Sequence, residues 1–161
     1  MYVLSLIMIA SLVVIDQILK EIVVRYLMPI GSHAFISGFM EWHYVENTGA
    51  AFGSLSEHTM ALSIVTLLIL AGGIAVLLSG RVKNKLLYYA FVLIISGGMG
   101  NLIDRVFRGT KLFNGYVVDY IRVLFVDFAV FNFADCMVSI GAGMIIIYLI
   151  FDIIRDVRER A

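Results

Sequence analysis

One stretch of the chain limits the possible folds more than any other. From Thr59 to Gly80 it carries no charged side chain. A helix needs about 20 apolar residues to cross a bilayer, and four segments qualify: 2–24, 59–79, 86–105 and 132–152. Hydrophobic residues make up 61% of the chain and charged residues 15%, against roughly 45–50% and 25% in soluble domains. The sequence therefore predicts an all-α integral membrane protein with four transmembrane helices.

Two long connectors separate these spans, and neither looks like a linker between domains. With one proline and no linker-like tract, we expect a single membrane domain over 1–161. In the connector 25–58, the run FMEWHYVEN mixes aromatic and β-branched residues with polar ones, which predicts a small β-rich element at the membrane interface. Charges interrupt the apolar run in the connector 106–131, and we expect this connector to lie on the membrane as a loop or helix.

Charge and cysteine content exclude several classes of protein. The formal net charge is zero and there is no basic run, so nothing indicates a nucleic-acid partner. Cys136 is the only cysteine, and its apolar surroundings predict that it packs as a small hydrophobic residue. The apolar N-terminal segment lacks a basic region and a small-residue cleavage site, so we expect a retained span rather than a removed signal peptide.

The four spans also predict which parts of the chain share a side of the membrane. Both termini and the connector GRVKNK lie on one side, while the polar ends of spans one, three and four lie on the other, with both long connectors. Lysine and arginine counts on the two sides are equal. We favour a cytoplasmic GRVKNK because short connectors weigh most in determining orientation.

Ionisable residues inside the spans are the main functional signal, since each costs about 2.5–3.5 kcal/mol to insert. Asp16 and Lys20 are four residues apart on one helical face, a spacing that also suits a purely structural ion pair. In SGGMGNLIDR, Asn101, Asp104 and Arg105 share a face, and the glycines before them permit close approach of another helix. The sequence leaves both a structural and a functional reading of these groups open.

Carboxylates near the start of the fourth span suggest a chemistry. Asn132 and Asp135 share a helical face, and Asp119 lies in the apolar run VVDYI. Two carboxylates at a partly dry interface do not both ionise readily, so they share a proton. Such a pair suits peptide-bond hydrolysis, in which one carboxylate activates water while the other polarises the carbonyl, without a metal. Asp119 is equally consistent with a solvated or capping loop residue, and Asp127 competes for the same role.

Other chemistries fit the sequence less well. The three histidines lack any metal-ligand spacing, and we expect no metal and no cofactor. They are His33, His43 and His58. A Ser–Lys dyad could combine Lys20 with Ser96 or Ser139, but neither serine has a local sign of activation. A small transporter or proton relay would need ionisable groups at several depths, whereas here they gather at one end of the spans. A structural subunit, whose polar groups only join helices, is the third alternative.

Five motifs occur in an order and spacing that resemble the bacterial lipoprotein signal peptidases, also called signal peptidase II. They are DQILK at 16–20, ENTGAAFG at 46–53, GGMGNLIDR at 97–105, VVDYI at 117–121 and FNFAD at 131–135. The resemblance extends over nearly the whole chain. It implies an aspartic endopeptidase of the bacterial plasma membrane that removes the signal peptide from prolipoproteins just before their lipid-modified cysteine.

The resemblance also implies roles for individual residues. Asp119 and Asp135 correspond to the catalytic pair, while Asp127 falls outside every motif. Substrate-binding or site-shaping positions are Asp16, Lys20, Asn47, Gly49, Asn101, Asp104, Arg105 and Asn132. Tyr120 departs from the phenylalanine that the family often has there.

The family's topology completes the expectation. It implies cytoplasmic termini, an extracytoplasmic active site, an outer cradle over 33–53 and a mobile cover over 106–131. The implied partners are the lipid-modified prolipoprotein and membrane lipids, with no obligate protein partner and no nucleic acid.

Overall fold

A computed structural model describes residues 2–49 and 58–160. Its four α-helices are α1 (Tyr2–Ile22), α2 (Thr59–Leu78), α3 (Lys85–Phe107) and α4 (Phe133–Arg160). Each is long and apolar enough to cross a membrane. The predicted architecture of four spans is therefore confirmed.

The ends of the helices differ from the predicted bounds for local reasons. One π-helical turn, Val23–Leu27, extends α1. Helix α3 begins after Asn84, whose side chain caps the free N–H groups of the first turn at 2.9 and 3.2 Å. Helix α4 continues past the predicted residue 152 to Arg160, and its polar last turns form exposed ion pairs such as Arg155–Asp152 at 2.8 Å. The predicted end marked only the end of the apolar run.

Helix α3 lies at the centre of the bundle, where it packs against each of the other three helices. Glycines in its second half permit this close approach. A side chain at Gly97 would collide with the carbonyl oxygen of Ala134 in α4, and one at Gly100 would collide with the Asp16 carboxylate in α1. The glycine motif of α3 therefore brings the polar ends of α1 and α4 together.

A three-stranded antiparallel sheet lies at the polar end of the bundle, in the order β1-β2-β3. The strands are β1 (Ser32–Ile36), β2 (Met40–Asn47) and β3 (Val117–Val123). The turn between β1 and β2 contains Gly38 with φ +70°, a conformation that glycine adopts without strain. The β-rich element predicted in the first connector is confirmed by β1 and β2. Residues 50–53 of the expected cradle and of the motif ENTGAAFG lie outside the described residues.

The second connector differs from its prediction. We expected a loop or helix over 106–131, but residues Val117–Val123 form β3, which pairs with β2. After β3 the chain turns back, and Phe131 forms a bridge with Ile121 just before α4 begins. Pairing with a strand about 70 residues earlier in the chain overrides the local pattern, because strand stability depends on its neighbours.

Candidate active site

Strand β3 carries Asp119 to the end of the helix bundle. Side chains on a strand alternate between its two faces. Val118 and Tyr120 pack with Leu27 at the end of α1, whereas Asp119 faces a cavity. Asp119 is 2% exposed. The apolar residues on either side of Asp119 therefore fix the direction of its carboxyl group.

The first turn of α4 positions Asp135 through a capping box with Asn132. The Asn132 side-chain oxygen accepts the N–H of Asp135 at 3.0 Å, and Asp135 Oδ2 accepts the N–H of Asn132 at 3.0 Å. This reciprocal arrangement satisfies two of the N–H groups that every helix leaves without an intrahelical partner. It also holds the Asp135 carboxylate at the helix N-terminus, where the helix dipole favours negative charge.

The next two N–H groups of α4 bind other elements of the fold. The N–H of Phe133 donates to the Tyr120 hydroxyl of β3 at 3.3 Å, and the N–H of Ala134 donates to Asp16 Oδ1 of α1 at 3.2 Å. The start of α4 is thus held by side chains of β3 and α1 in addition to its own capping box. These contacts fix the helix turn that carries the second aspartate.

Three asparagines donate to the two aspartates. Asn132 Nδ2 donates to Asp119 Oδ1 at 2.6 Å, and Asn47 Nδ2 donates to Asp119 Oδ2 at 2.9 Å. Asn101 Nδ2 donates to Asp135 Oδ1 at 2.8 Å. With the capping N–H of Asn132, every carboxylate oxygen of the pair accepts a hydrogen bond from an amide. Asn132 joins the two aspartates directly.

The orientation of each asparagine follows from a partner that can only donate. The N–H of Gly49 binds Asn47 Oδ1 at 2.9 Å, and Lys20 Nζ binds Asn101 Oδ1 at 2.8 Å. Asn132 is oriented by the capping box. Each amide must therefore present its NH₂ group to an aspartate.

Behind the asparagines lies a buried charge cluster of Asp16, Lys20, Asp104 and Arg108. Lys20 is 0% exposed, and its Nζ lies 2.9 Å from a carboxylate oxygen of both Asp16 and Asp104. Arg108 Nε binds Asp104 at 2.9 Å, and Gln17 Nε2 donates to both carboxylates at 3.1 and 3.3 Å. Two anions and two cations balance within the cluster, as buried charges require.

Arg105 connects the cavity to the segment after β2. Its Nη2 donates to the Gly49 carbonyl at 2.8 Å, and its positive charge acts on Asp119 and Asp135. The buried Nε has no hydrogen-bond partner among the residues that the structure describes. A buried N–H without a hydrogen-bond partner is costly, so the contacts of Arg105 are incomplete within the part of the chain that the structure describes.

Burial and a neighbouring charge alter the ionisation of Asp119. Removal from water, followed by repulsion from Asp135, raises the pKa of Asp119 from 3.8 to about 7. The amides of Asn47 and Asn132 oppose this increase only in part. The pair is therefore suited to hold one proton near neutral pH.

The two aspartates face one cavity of about 600 Å³. Its polar lining includes Asn47, Asn101, Arg105, Asp119, Asp135 and Ser139. Its apolar lining includes Phe128, Val130, Phe131, Val138 and Ile140. The cavity can therefore accept an apolar chain along α4 while it presents a polar peptide unit to the carboxylates.

All ten residues singled out from the sequence belong to one connected set of hydrogen bonds and ion pairs. They are Asp16, Lys20, Asn47, Gly49, Asn101, Asp104, Arg105, Asp119, Asn132 and Asp135. Asp127, the alternative to Asp119, is exposed and lines an adjoining groove, whereas Asp135 lines the cavity. The structure thus brings Asp119, and not Asp127, to the carboxylate in α4.

Three contributors were not anticipated from the sequence. Gln17 bridges the two acids of the buried charge cluster, Arg108 pairs with Asp104, and Tyr120 binds the start of α4. The spacing of four residues between Asp104 and Arg108 was a usable signal. No local pattern indicates the other two contacts, since their partners are distant in the chain.

The contacts of Lys20 and Ser96 do not support a Ser–Lys dyad between these two residues. Lys20 Nζ is held by Asp16, Asp104 and Asn101, while the Ser96 hydroxyl donates to the Val92 carbonyl at 2.6 Å within α3. In residues 2–49 and 58–160, no three His, Cys, Asp or Glu side chains are grouped in a way that could hold a metal ion.

Four apolar helices, with paired aspartates facing a cavity at their polar end, define a membrane enzyme of the aspartic type. Residues 8–151 match the family model described as Signal peptidase (SPase) II. The chain belongs to the signal peptidase II family. It is an aspartic peptidase that cleaves signal peptides of prolipoproteins, and it is a multi-pass bacterial membrane enzyme.

Similar proteins and structures agree with this assignment. The chain is 41% identical over 150 residues to the lipoprotein signal peptidase of Caldanaerobacter subterraneus subsp. tengcongensis, covering 91% of this chain and 96% of the relative. It is 36% identical over 149 residues to that of Clostridium acetobutylicum, covering 91% and 93%. A solved structure described as a bacterial membrane enzyme superposes with a TM-score of 0.80 at 34% identity, covering 92% of this chain and 88% of the other.

Proposed function

We propose that Asp119 and Asp135 are the catalytic pair of this signal peptidase. The observation that carries the proposal is their shared position: both face one cavity, and Asn132 donates a hydrogen bond to each. Arg105 supplies a positive charge to both. Asn47 and Asn101 complete the set of groups that hold the two acids in place.

The proposed reaction begins with one proton on the pair, which burial favours on Asp119. Asp135 takes a proton from water as the water oxygen bonds to the carbonyl carbon, and Asp119 gives its proton to the carbonyl oxygen. In the second step, Asp135 returns a proton to the nitrogen as the C–N bond breaks. Asp119 takes a proton from a hydroxyl group of the tetrahedral intermediate. The products are a free acid and a free amine, and the pair returns to its initial state.

The proposed substrate is a prolipoprotein whose cysteine is already lipid-modified, cleaved directly before that cysteine. Its apolar signal segment fits the apolar lining of the cavity along α4. We place both termini in the cytoplasm and the aspartates at the extracytoplasmic face. This orientation gives the catalytic pair access to water while the acyl chains of the substrate stay in the bilayer.

The test uses Asp119→Asn and Asp135→Asn, which keep the size of each side chain and remove its ability to exchange a proton. Cleavage of a lipidated precursor should fall by about 10²–10⁴-fold or more, while the yield of folded protein stays the same. Asp156→Asn at the exposed end of α4 is a matched control and should keep full activity.

Two results separate the alternatives. If the catalytic variants lose folded protein as well as activity, the aspartates serve as structural links between elements. If an unlipidated precursor is cleaved as fast as the lipidated one, the proposed substrate class is wrong even when the pair is catalytic.

A further inference from the structure

A second groove adjoins the catalytic cavity, and none of the four helices lines it. Its walls are formed by the end of β2 with Thr48 and by segment 127–130, and it shares Asp119 with the cavity. Its volume is about 370 Å³. The exposed side chains of Glu46 and Asp127 belong to this lining. We call it the acidic groove.

The two carboxylates of the acidic groove are not balanced by cations. Glu46 accepts a hydrogen bond from the Tyr44 hydroxyl at 3.0 Å, but neither it nor Asp127 forms an ion pair within residues 2–49 and 58–160. Glu41 on the same strand differs, since Arg122 lies 3.3 Å away. No lysine or arginine of the described ranges lines the groove. Its negative charge is therefore available to a bound chain.

The position of the acidic groove indicates which part of a substrate reaches it, and this step rests on the proposed function. A precursor that crosses the aspartates has an apolar signal segment before the scissile bond and a polar mature chain after it. The apolar lining along α4 suits the signal segment. A groove outside the helices with a polar lining suits the mature chain, because that chain must leave the bilayer.

We infer that the residues directly after the modified cysteine lie in the acidic groove. Glu46 and Asp127 then select among precursors by charge, with lysine or arginine preferred at these positions over aspartate or glutamate. Like charges close together are repelled and opposite charges attracted, and both effects weaken in salt because the groove is open to water. These two residues determine specificity and take no part in bond cleavage.

The experiment compares three lipidated precursors that differ only in the two residues after the cysteine: Lys-Lys, Gln-Gln and Glu-Glu. The assay uses an uncharged detergent, so that the micelle surface does not attract or repel the charged residues of the precursors. At about 20 mM salt, kcat/KM should decrease in that order, with about a three- to tenfold difference between Lys-Lys and Glu-Glu. At about 500 mM salt the difference should largely disappear.

Charge reversal supplies the decisive comparison. The double variant Glu46→Lys with Asp127→Lys should reverse the order, so that Glu-Glu is cleaved fastest. Asp156→Lys with Glu159→Lys changes the net charge equally at the exposed end of α4. That control should retain the wild-type order.

Each outcome has one meaning. Reversal in the groove variant alone supports the inference. If both double variants keep the wild-type order, or if the wild type cleaves all three precursors at equal rates, the inference is wrong. Cleavage of the Gln-Gln precursor would still support the proposed function in either case. A reversal in the control as well would assign the selectivity to net charge and overturn the groove's role. Failure to cleave any lipidated precursor would overturn the proposed function and this inference together.

Discussion

Two pairs of carboxylates lie close together at the polar end of the bundle, but their partners differ in kind. Asp16 and Asp104 share the ammonium group of Lys20 at 2.9 Å each. Asp119 and Asp135 accept hydrogen bonds only from amides in the part of the chain that the structure describes. The first pair is closed to water, whereas the second faces a cavity.

This difference in partners explains why we assign proton transfer to only two of the four acids in this region. A cation in direct contact favours the charged form of a carboxylate. Neutral amides fix the position of a carboxylate without neutralising it, so repulsion between neighbours leaves one of them protonated. The buried charge cluster therefore supports the site, and the amide-held pair carries the proton transfer that we propose.

The largest expected effect comes from removing the shared cation. Lys20→Met leaves two carboxylates buried with one less cation, so the free energy of unfolding should fall by about 3–5 kcal/mol. Unfolding in detergent, followed by circular dichroism, measures this change. Arg155→Met breaks only exposed ion pairs and should cost less than about 1 kcal/mol. A Lys20→Met protein with wild-type stability but no activity would show that Lys20 acts on the substrate instead.

The proposed catalytic pair should make the stability of the protein depend on pH. Because burial and Asp135 raise the pKa of Asp119 to about 7 from 3.8, the folded state binds a proton more tightly than the unfolded state. The contribution of Asp119 to stability is thus fully present below pH 3.8 and is lost as the pH rises to about 7. The loss is at most about 1.4 kcal/mol per pH unit.

Comparing wild type with Asp119→Asn across this interval isolates that contribution. The stability of the wild type relative to the variant should decrease with rising pH, and cleavage by the wild type should decline above about pH 7 as the pair loses its shared proton. A stability difference that is flat or rises with pH would show that Asp119 is ionised throughout.

The spans were predictable from the sequence, but strand β3 was not. Bilayer thickness sets a length that 59–79 and the other apolar runs meet on their own, so no distant partner is needed to recognise them. Residues 117–123 are also largely apolar, but the run is short and interrupted by charges, so local rules do not decide between a strand, a helix and a loop. They become a strand because Met40–Asn47 provides a partner edge, which composition cannot reveal.

The candidate site also has a part that was predictable from the sequence and a part that was not. Asn101, Asn132 and the carboxylates near them stood out because polar groups are costly inside apolar runs, whereas Asn47 was indicated only by the family resemblance. Their pairing was less predictable: spacing left Asp119 and Asp127 as equal candidates, and only the return of the chain at Phe131 places Asp119 beside Asn132. The Tyr120 contact with the start of α4 also depends on this turn.

Asn101 connects the buried charge cluster to the proposed catalytic pair. Its removal is the smallest change that tests whether these two groups act together. Its oxygen accepts from Lys20 Nζ at 2.8 Å, and its amide donates to Asp135 at 2.8 Å. Asn101→Ala should lower the free energy of unfolding by about 1–3 kcal/mol. If a similar amount appears in the activation barrier, kcat falls by about ten- to a hundredfold with little change in KM.

Asn84→Ala is the matched control, since it removes an asparagine from the other end of the same helix. Loss of this cap should cost about 1 kcal/mol of stability without lowering kcat. Equal losses of kcat in both variants would mean that activity follows stability alone. A selective loss in Asn101→Ala supports a role for Asn101 in positioning Asp135, because its side chain hydrogen-bonds both Lys20 and Asp135.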